Sequence, residues 1–510
     1  MRRAVVYLIG AGPGDPGLIS VRGLQALRSA DVVLYDHVVH PALLRYARPD
    51  AEQIDVGRAA PQPIDQEAIC YLLAEKAREG KTVARLKWGD PFLFDRGGEE
   101  ALFLHEQGVR YEVVPGIPAA VGMPAYAGVP LTYPGGGDTV TMLRGFEDES
   151  RTPPKADWTN LSRLDGTLVC YAGAHQLPTI VHQLLAHGRA PEEPAVIVFD
   201  GTMPSQHTID GTLASLDARL QQDRPRGPGL LVVGRVAAFR EHLRWFDDRP
   251  LFGRRVLVTR PRDQAAELVD LLRDLGADPI EAPMIRIDPP EDTEALERAA
   301  AQASTYDLIV FASGNAVDAF VQQVLDGPGD IRSLHGPKLC AVGPGTGEHL
   351  RRFGLRADLV PRDFRAEGML DALGAVSGLK VLLPRADVGR EALAAGLRER
   401  GASVTEVVAY RTVIEDLSRE GDPDIYRMLL ERQIDVVTFT SGSAVRNFAK
   451  VFGQDQAADL LRTTAVAAIG PVTAEAAAKL GIGVSIQPAT YTIPALVDAI
   501  VAHFARPAES

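Results

Sequence analysis

The carboxyl-terminal half of the chain repeats itself, and that repeat constrains the fold more than any other feature. Val256-Leu-Val-Thr-Arg260 returns as Val381-Leu-Leu-Pro-Arg385, and Asp307-Leu-Ile-Val-Phe-Ala-Ser-Gly-Asn-Ala-Val317 returns as Asp435-Val-Val-Thr-Phe-Thr-Ser-Gly-Ser-Ala-Val445. Ala341-Val-Gly-Pro-Gly-Thr346 likewise returns as Ala468-Ile-Gly-Pro-Val-Thr473. Each copy carries an apolar run followed by Ser-Gly and a helical pattern, then a second run followed by Gly-Pro-x-Thr and another. Strands alternating with helices build parallel α/β sheets, so two homologous α/β lobes facing each other are predicted. Both turns present free backbone N–H groups at helix amino termini, which attract anions. Ser313, Ser441, Thr346 and Thr473 must cap those helices in any case, and capping is compatible with lining a cleft.

The amino-terminal half also alternates. Val5 to Ile9 ends in Gly10-Ala-Gly-Pro-Gly-Asp-Pro-Gly17; a helix follows from about Ser20 to Ser29, then strands at Val32 to Asp36 and Gln53 to Val56. A helix over Gln66 to Arg78 precedes a strand that runs into an elaborate loop, Arg85-Leu-Lys-Trp-Gly-Asp-Pro-Phe-Leu-Phe-Asp-Arg-Gly-Gly-Glu-Glu100. Loops at the carboxyl ends of strands in open α/β sheets are where ligands bind. Gly89, Gly97 and Gly98 allow close backbone approach, and Asp90 can accept from a hydroxyl or amide. The same residues also suit a plain strand-to-helix connection plugged by Phe92 and Phe94. Further strands are expected at Thr139 to Leu143, Thr167 to Tyr171, Ala195 to Phe199 and Leu230 to Val233. Gly10-Ala-Gly-Pro-Gly-Asp15 lacks the last glycine of the dinucleotide fingerprint, which argues against a nicotinamide cofactor.

At 510 residues the chain is too long for one core. Its net charge of −13, without a basic block, argues against nucleic acid or an anionic membrane as partner, although a locally basic cleft could still hold a small anion. Cys70, Cys170 and Cys340 are far apart and without metal-binding spacing, as expected of reduced thiols in a cytoplasmic protein with no metal framework. No run approaches the ~18 apolar residues of a membrane span. The short apolar amino terminus breaks at once into a glycine turn and is read as a first strand, not a signal peptide.

Taken together, six ordered motifs identify a resemblance. Val6-Tyr-Leu-Ile-Gly-Ala-Gly-Pro-Gly-Asp-Pro16, Ala30-Asp-Val-Val-Leu-Tyr-Asp36, the loop of residues 85–100, Val113-Val-Pro-Gly-Ile117, Ala125-Tyr-Ala-Gly-Val-Pro-Leu-Thr132 and Asp200-Gly-Thr202 resemble the uroporphyrinogen-III C-methyltransferases over about residues 4–245. That resemblance implies a two-lobed tetrapyrrole methylase, a homodimer through this half, which transfers methyl groups from S-adenosyl-L-methionine to two ring carbons of uroporphyrinogen III. The product would be precorrin-2, on the way to sirohaem or cobalamin. Positions matching the family's donor site are Pro13, Trp88, Gly89, Asp90, Leu93, Pro118, Ala119, Ala172 and Gly201; Asp36 matches its general base and Arg58 its proton donor. Several positions depart from the family pattern. Trp88 stands where a glycine is usual, Arg58 for lysine, His37 for arginine, Pro118 for threonine, Ala172 for methionine, and Tyr133-Pro134 for His-Arg. Arg58 can bind a carboxylate but is too basic to release a proton readily.

The repeated half resembles uroporphyrinogen-III synthase, whose tyrosine matches Tyr410 in Val407-Val-Ala-Tyr-Arg-Thr-Val413. The resemblance implies loss of a hydroxyl from hydroxymethylbilane and ring closure with inversion of the last pyrrole, Tyr410 acting as a weak acid at the departing hydroxyl. The repeat partner of Tyr410 is Ile285, so duplication alone does not demand a tyrosine. Substrate carboxylates would meet the helix amino termini at Ser313, Gly314, Ser441, Gly442 and Thr473, with Arg260 and Arg385 beside them. The expected organisation is a methylase over 1–246 (lobes about 1–117 and 118–246), a linker at 247–253, and a synthase over 254–506. Its first lobe is expected at about 254–287 plus 412–506, its second at 288–411. The chain is thus expected to be a bifunctional enzyme. Two alternatives stay open: a synthase fused to a catalytically altered or inactive methylase half, and a bilobed tetrapyrrole-binding sensor.

Overall fold

A computed structural model describes residues 4–57, 64–136, 138–145, 156–225, 227–364, 366–387, 392–414 and 423–505. The chain forms two compact units, chiefly Met1–Arg254 with Leu272–Asp278, and Arg255–Leu271 with Pro279–Arg506. The class is α/β, as the alternation of strands and helices predicts.

The first unit holds two sheets. Strands β1 (Val6–Gly10), β2 (Val32–Tyr35), β3 (Glu52–Asp55), β4 (Val83–Lys87) and β5 (Tyr111–Val114) form a parallel sheet in the order β3-β2-β4-β1-β5. Helices cover it because each has a face to bury and a local reason to start. Ser20 caps Val21–Ser29 by accepting from Gly23 N, and Asp65 caps Gln66–Arg78 by accepting from Ala68 N. The second sheet contains β6 (Val140–Arg144), β7 (Thr167–Gly173), β8 (Pro194–Phe199), β9 (His207–Thr212) and β10 (Pro228–Val233), in the order β6-β7-β10-β8-β9. Only β6 and β7 run parallel; β10 inserts antiparallel between β7 and β8, and β9 is antiparallel to β8. Strand β9 escapes a reading of the sequence because Ile209 is its one buried side chain, so it lacks the apolar alternation that marks a strand.

The second unit carries a four-stranded sheet and a five-stranded one. Strands β11 (Arg255–Val258), β12 (Asp278–Glu281), β13 (Ile285–Asp288), β14 (Leu308–Phe311), β15 (Lys338–Ala341), β16 (Lys380–Ala386), β17 (Ser403–Ile414), β18 (Val436–Phe439) and β19 (Ala465–Ala468) order as β12-β11-β18-β19 and β13-β17-β16-β14-β15. The repeated segments occupy equivalent places: the Ser-Gly turns follow β14 and β18, and the Gly-Pro turns follow β15 and β19. Strand β13 and the end of β17 lie at the two expected lobe junctions and pair antiparallel, Ile285 opposite Ile414.

Strand β4 brings an unusual load into the first core. Arg85 and Lys87 are each 1% exposed, and Glu100, from the first turn of the helix Gly97–Glu106, is 0% exposed. Charges so deeply buried must be paired. Arg85 Nε lies 3.3 Å from Glu100 Oε1, Lys87 Nζ donates to the same oxygen at 2.9 Å, and Gln66 Nε2 donates to it at 3.1 Å. Arg85 Nη2 reaches Asp36 Oδ1 at 2.5 Å, and Lys87 Nζ lies 3.2 Å from Asp95 Oδ1. Burial opposes the charged form of Glu100, but Arg85 and Lys87 overcome it and hold the carboxyl below its usual range. Asp95 goes the other way: burial pushes its carboxyl up, and Lys87 only partly offsets this.

A lowered carboxyl contributes stability above its unfolded value, here 4.5, and that contribution is lost as pH falls through the folded value. Glu100→Gln should therefore cost about 3 kcal/mol at pH 7 by leaving two buried cations short of a partner. The gap to the parent protein should shrink below about pH 4.5, Asp95 being common to both proteins. Urea unfolding of the full chain at pH 7 and pH 4 measures both gaps, and an unchanged gap contradicts the assignment.

Candidate functional site

The carboxyl ends of the first sheet open onto a cavity of about 890 Å³ within the first unit. Gly89 lines it, and the backbones of Gly10, Gly89 and Gly116 approach one another closely. A Cβ on Gly10 would lie 2.5 Å from Gly116 Cα, and one on Gly116 would lie 2.3 Å from the Gly89 carbonyl, so no side chain fits at either. Gly89 itself has φ +69°, in the left-handed region.

Asp36, Trp88, Gly89, Asp90, Leu93, Pro118, Ala119 and Ala172 all line this cavity, brought together from β2, the loop after β4, the start of the helix Ala119–Tyr126 and β7. Pro13 and Gly201 do not line it; both are buried behind its wall, where a Cβ on Gly201 would strike Met123 at 2.4 Å. Arg58 lies outside the described residues. His37 lines the cavity beside Asp36 and pairs through Nδ1 with Asp55 Oδ2 at 2.9 Å.

Trp88 is hydrogen-bonded to the buried Pro13. Its indole Nε1 donates to the Pro13 carbonyl at 2.9 Å, and its ring packs on the apolar cluster containing Ala119, Ala120 and Met123. Asp90 braces the loop with both oxygens: Oδ1 accepts from Phe92 N at 2.8 Å and Oδ2 from Gly116 N at 3.0 Å. Opposite stand two aromatic rings. Phe94, at φ +55°, meets Tyr171 edge to face at 5.3 Å, and the Tyr171 hydroxyl accepts from Ala120 N at 2.8 Å. The Phe92/Phe94 plug is thus only half realised, for Phe92 is 56% exposed while Phe94 turns to the cavity.

Asp36 is the one charged member of the expected set that a buried cation touches. Its Oδ1 accepts from Arg85, and no other side-chain bond to its carboxylate is made among the described residues. Basic groups also face the cavity, from Arg85, Lys87, Arg96 and Arg144.

In the second unit Tyr410 is 8% exposed, and its hydroxyl lies 3.0 Å from Ser313 Oγ. Burial pushes the phenol above its usual value, while hydrogen bonds to Ser313 and Asn315 work the other way. Ser313 caps the helix Gly314–Asp326 through Ala316 N at 3.2 Å, and Ser441 caps Gly442–Phe452 through Ala444 N at 3.1 Å. A Cβ on Gly314 would lie 2.5 Å from the ring of His349, whose Nδ1 pairs with Asp318. Thr473 is buried in the first turn of Pro471–Ala478, and Gly442 lies half-buried at its helix start. Arg260 is half-buried next to β11. Arg385 is engaged by Glu406, with Nε 2.8 Å from Oε2, and bonds the Ala386 carbonyl at 3.1 Å. Ser313, Gly314 and Tyr410 thus come together, whereas Ser441, Gly442 and Thr473 sit on the helices of the other sheet.

Sequence reasoning missed Asn315, which bonds Tyr410 and accepts from Gln264 Nε2, and missed Arg85, Lys87 and Glu100 as members of the first site. A usable signal was present for the latter: Arg and Lys alternate with Ala84 and Leu86 along one strand, placing two cations on one face of a central strand.

Two known families match the chain: tetrapyrrole (corrin/porphyrin) methylases over residues 5–217, and uroporphyrinogen-III synthase HemD over residues 266–498. The chain is 34% identical to the porphyrin biosynthesis protein HemD of Ruminiclostridium josui, over 98% of this chain and 98% of that protein. It is 36% identical to the uroporphyrinogen-III C-methyltransferase of Bacillus subtilis (strain 168), over 74% of this chain and 78% of that one. Similarity to the siroheme synthase of Pseudomonas putida (strain W619) is 47% identity, over 48% of this chain and 52% of that protein. The chain therefore belongs to the family that fuses a tetrapyrrole methylase to a uroporphyrinogen-III synthase, and it is an enzyme of tetrapyrrole biosynthesis with a methyltransferase half and a synthase half.

Proposed function

We propose that the second unit cyclises hydroxymethylbilane to uroporphyrinogen III and that the first unit methylates this product to precorrin-2, serving the sirohaem or cobalamin branch. The observation that carries the methylase reading is Asp36, held by a buried Arg85 at the wall of a cavity that also gathers Trp88, Gly89, Asp90, Leu93, Pro118, Ala119 and Ala172.

The cavity suits S-adenosyl-L-methionine as donor. The rings of Trp88, Phe94 and Tyr171 and the carboxylate of Asp90 line it and can meet a cationic donor, and Ala119 and Ala172 leave it roomy. Trp88, Gly89, Leu93, Pro118, Ala119 and Ala172 would hold the donor, which supplies an electrophilic methyl group when bound. Arg96 and Arg144 offer cations to the carboxylates of a tetrapyrrole. Asp36 takes up a proton from a position of the macrocycle next to the methylated carbon, which bears a carboxylated side chain and has no hydrogen of its own; the electron pair of the broken bond remains in the macrocycle. In the second unit the Tyr410 phenol stays protonated at neutral pH, raised by burial, and gives a hydrogen bond to the departing hydroxyl. The helix amino termini capped by Ser313 and Ser441 supply N–H groups for substrate carboxylates.

A second reading, a synthase fused to an altered methylase, is favoured by one observation: Pro13, which the resemblance assigns to the donor site, does not line the cavity, and its carbonyl is taken by the Trp88 indole. Full-length protein given hydroxymethylbilane and S-adenosyl-L-methionine separates the two. Precorrin-2 is the expected product, and accumulation of unmethylated uroporphyrinogen III alone would establish the second reading.

Single changes sharpen the assignment. Asp36→Ala should slow methylation at least about 100-fold with cyclisation unaffected, and Tyr410→Phe should slow cyclisation by about 100-fold with methylation of supplied uroporphyrinogen III unaffected. Loss of both activities from either change would refute the placement of two separate sites. Trp88→Gly leaves the Pro13 carbonyl unpaired and strips a wall from the cavity; donor affinity measured by calorimetry should fall about tenfold. Unchanged or tighter binding would mean that Trp88 obstructs the site.

A further inference from the structure

The buried charges of the first unit do more than neutralise one another. All three nitrogens of the Arg85 guanidinium are engaged: Nη2 with Asp36 Oδ1 at 2.5 Å, Nε with Glu100 Oε1 at 3.3 Å and Nη1 with the Leu86 carbonyl at 3.2 Å. Its side chain is 2% exposed, so it has no other geometry available. Asp36, by contrast, is 22% exposed at the cavity wall and bonded through Oδ1 alone among the described side chains, which leaves Oδ2 for chemistry.

The construction below Arg85 is poor as a stability device. Glu100 Oε1 takes bonds from Arg85, Lys87 and Gln66, while its buried Oε2 has no partner among the described residues. A pair selected for stability would use both oxygens, and replacing buried ion pairs by apolar groups is often neutral or stabilising. One oxygen shared by three donors instead fixes where those donors point. Lys87 extends the chain of contacts to Asp95, which lines the same cavity, so two wall carboxylates are anchored to one buried acid.

We propose that Arg85 is a positioning residue for Asp36, locking Oδ1 so that Oδ2 faces the proton that the macrocycle loses after methylation, and that Glu100 fixes Arg85 from beneath. This rests on the reading of Asp36 as the base that accepts that proton. A lysine at 85 would keep the charge but lose the planar fork that bonds the two carboxylates and a carbonyl at once. Positioning of this kind acts on the rate of the bound complex and leaves ground-state binding alone.

The test uses the full chain with uroporphyrinogen III and S-adenosyl-L-methionine. Arg85→Lys should lower kcat about 10- to 100-fold while KM for both substrates stays within about threefold. In an Asp36→Asn background the same change should have no further effect on kcat, because residues acting as a unit are not additive. Parent-like kcat in Arg85→Lys, a loss confined to KM, or an undiminished further loss in the double variant would overturn the proposal. If Asp36→Asn itself keeps the parent kcat, the reading of Asp36 fails; if Asp36→Asn is slow and Arg85→Lys is not, only the present inference fails. Donor binding by calorimetry verifies that Arg85→Lys is folded. Should it not bind, Glu100→Gln at low temperature replaces it: a smaller fall in kcat that vanishes in the Asp36→Asn background is expected, and an additive fall refutes the proposal.

Discussion

The first unit depends on a single electrostatic constraint: two cations on β4, the middle strand of its sheet, must be neutralised without water. Arg85 and Lys87 cannot reach solvent, so the elements beside them must bring carboxylates inward. Neighbouring β2 is followed directly by Asp36, and the helix after the loop contributes Glu100 from its first turn, where the helix dipole also favours an anion. The loop between β4 and that helix is thus pinned at both ends by the same charges. Its middle, from Trp88 to Asp95, is left to shape the cavity wall. Packing, charge and site are here one arrangement, since moving any of the buried groups moves the carboxylate at the cavity.

In the second unit the logic differs. Duplication supplies two sets of capped helix amino termini, each held by Ser313 or Ser441, and these are demanded by the fold whether or not they touch a ligand. What duplication does not supply is Tyr410. It stands near the carboxyl end of β17, the longest of the described strands, and its hydroxyl returns to the cap residue Ser313. A symmetric scaffold thereby becomes chemically asymmetric: one Ser-Gly turn carries a buried phenol, and the other carries Ser443 in hydrogen bond with Ser441.

Much of this was legible from residue order, and the failures have physical causes. Parallel sheets announce themselves by apolar runs, so β1, β2, β4 and the repeated strands could be placed. Strand β9 could not, being an edge with one buried residue, nor could the insertion of β10 antiparallel between β7 and β8, since direction leaves no mark on local composition. Among the site residues, those on the loop after β4 and at the start of the helix Ala119–Tyr126 converge because short turns deliver them to one cavity. Pro13 and Gly201, on the turns after β1 and β8, are buried and do not line the cavity, a distinction that no motif encodes. Arg385 was readable as a cation but not as one already engaged by Glu406. Buried charge was the least legible of all, because Arg-Leu-Lys in a strand looks like an exposed alternating edge until Glu100, 13 residues on from Lys87 and 15 from Arg85, is folded over it.

Trp88 shows how such a departure can be absorbed. A large ring where small residues are usual ought to collide with the loop that carries it, yet here it lies half-buried on an apolar cluster and donates to the buried Pro13 carbonyl. Across the cavity Ala172 leaves space where a long side chain is usual, so volume gained on one side is released on the other. The acid, its buried clamp and the brace at Asp90 are untouched by either change. Trp88 and Ala172 therefore depart on the surface that would hold the donor, whereas Arg58 departs at the position that would supply a proton; donor binding and proton transfer are altered at separate residues, while Asp36 is bonded to Arg85.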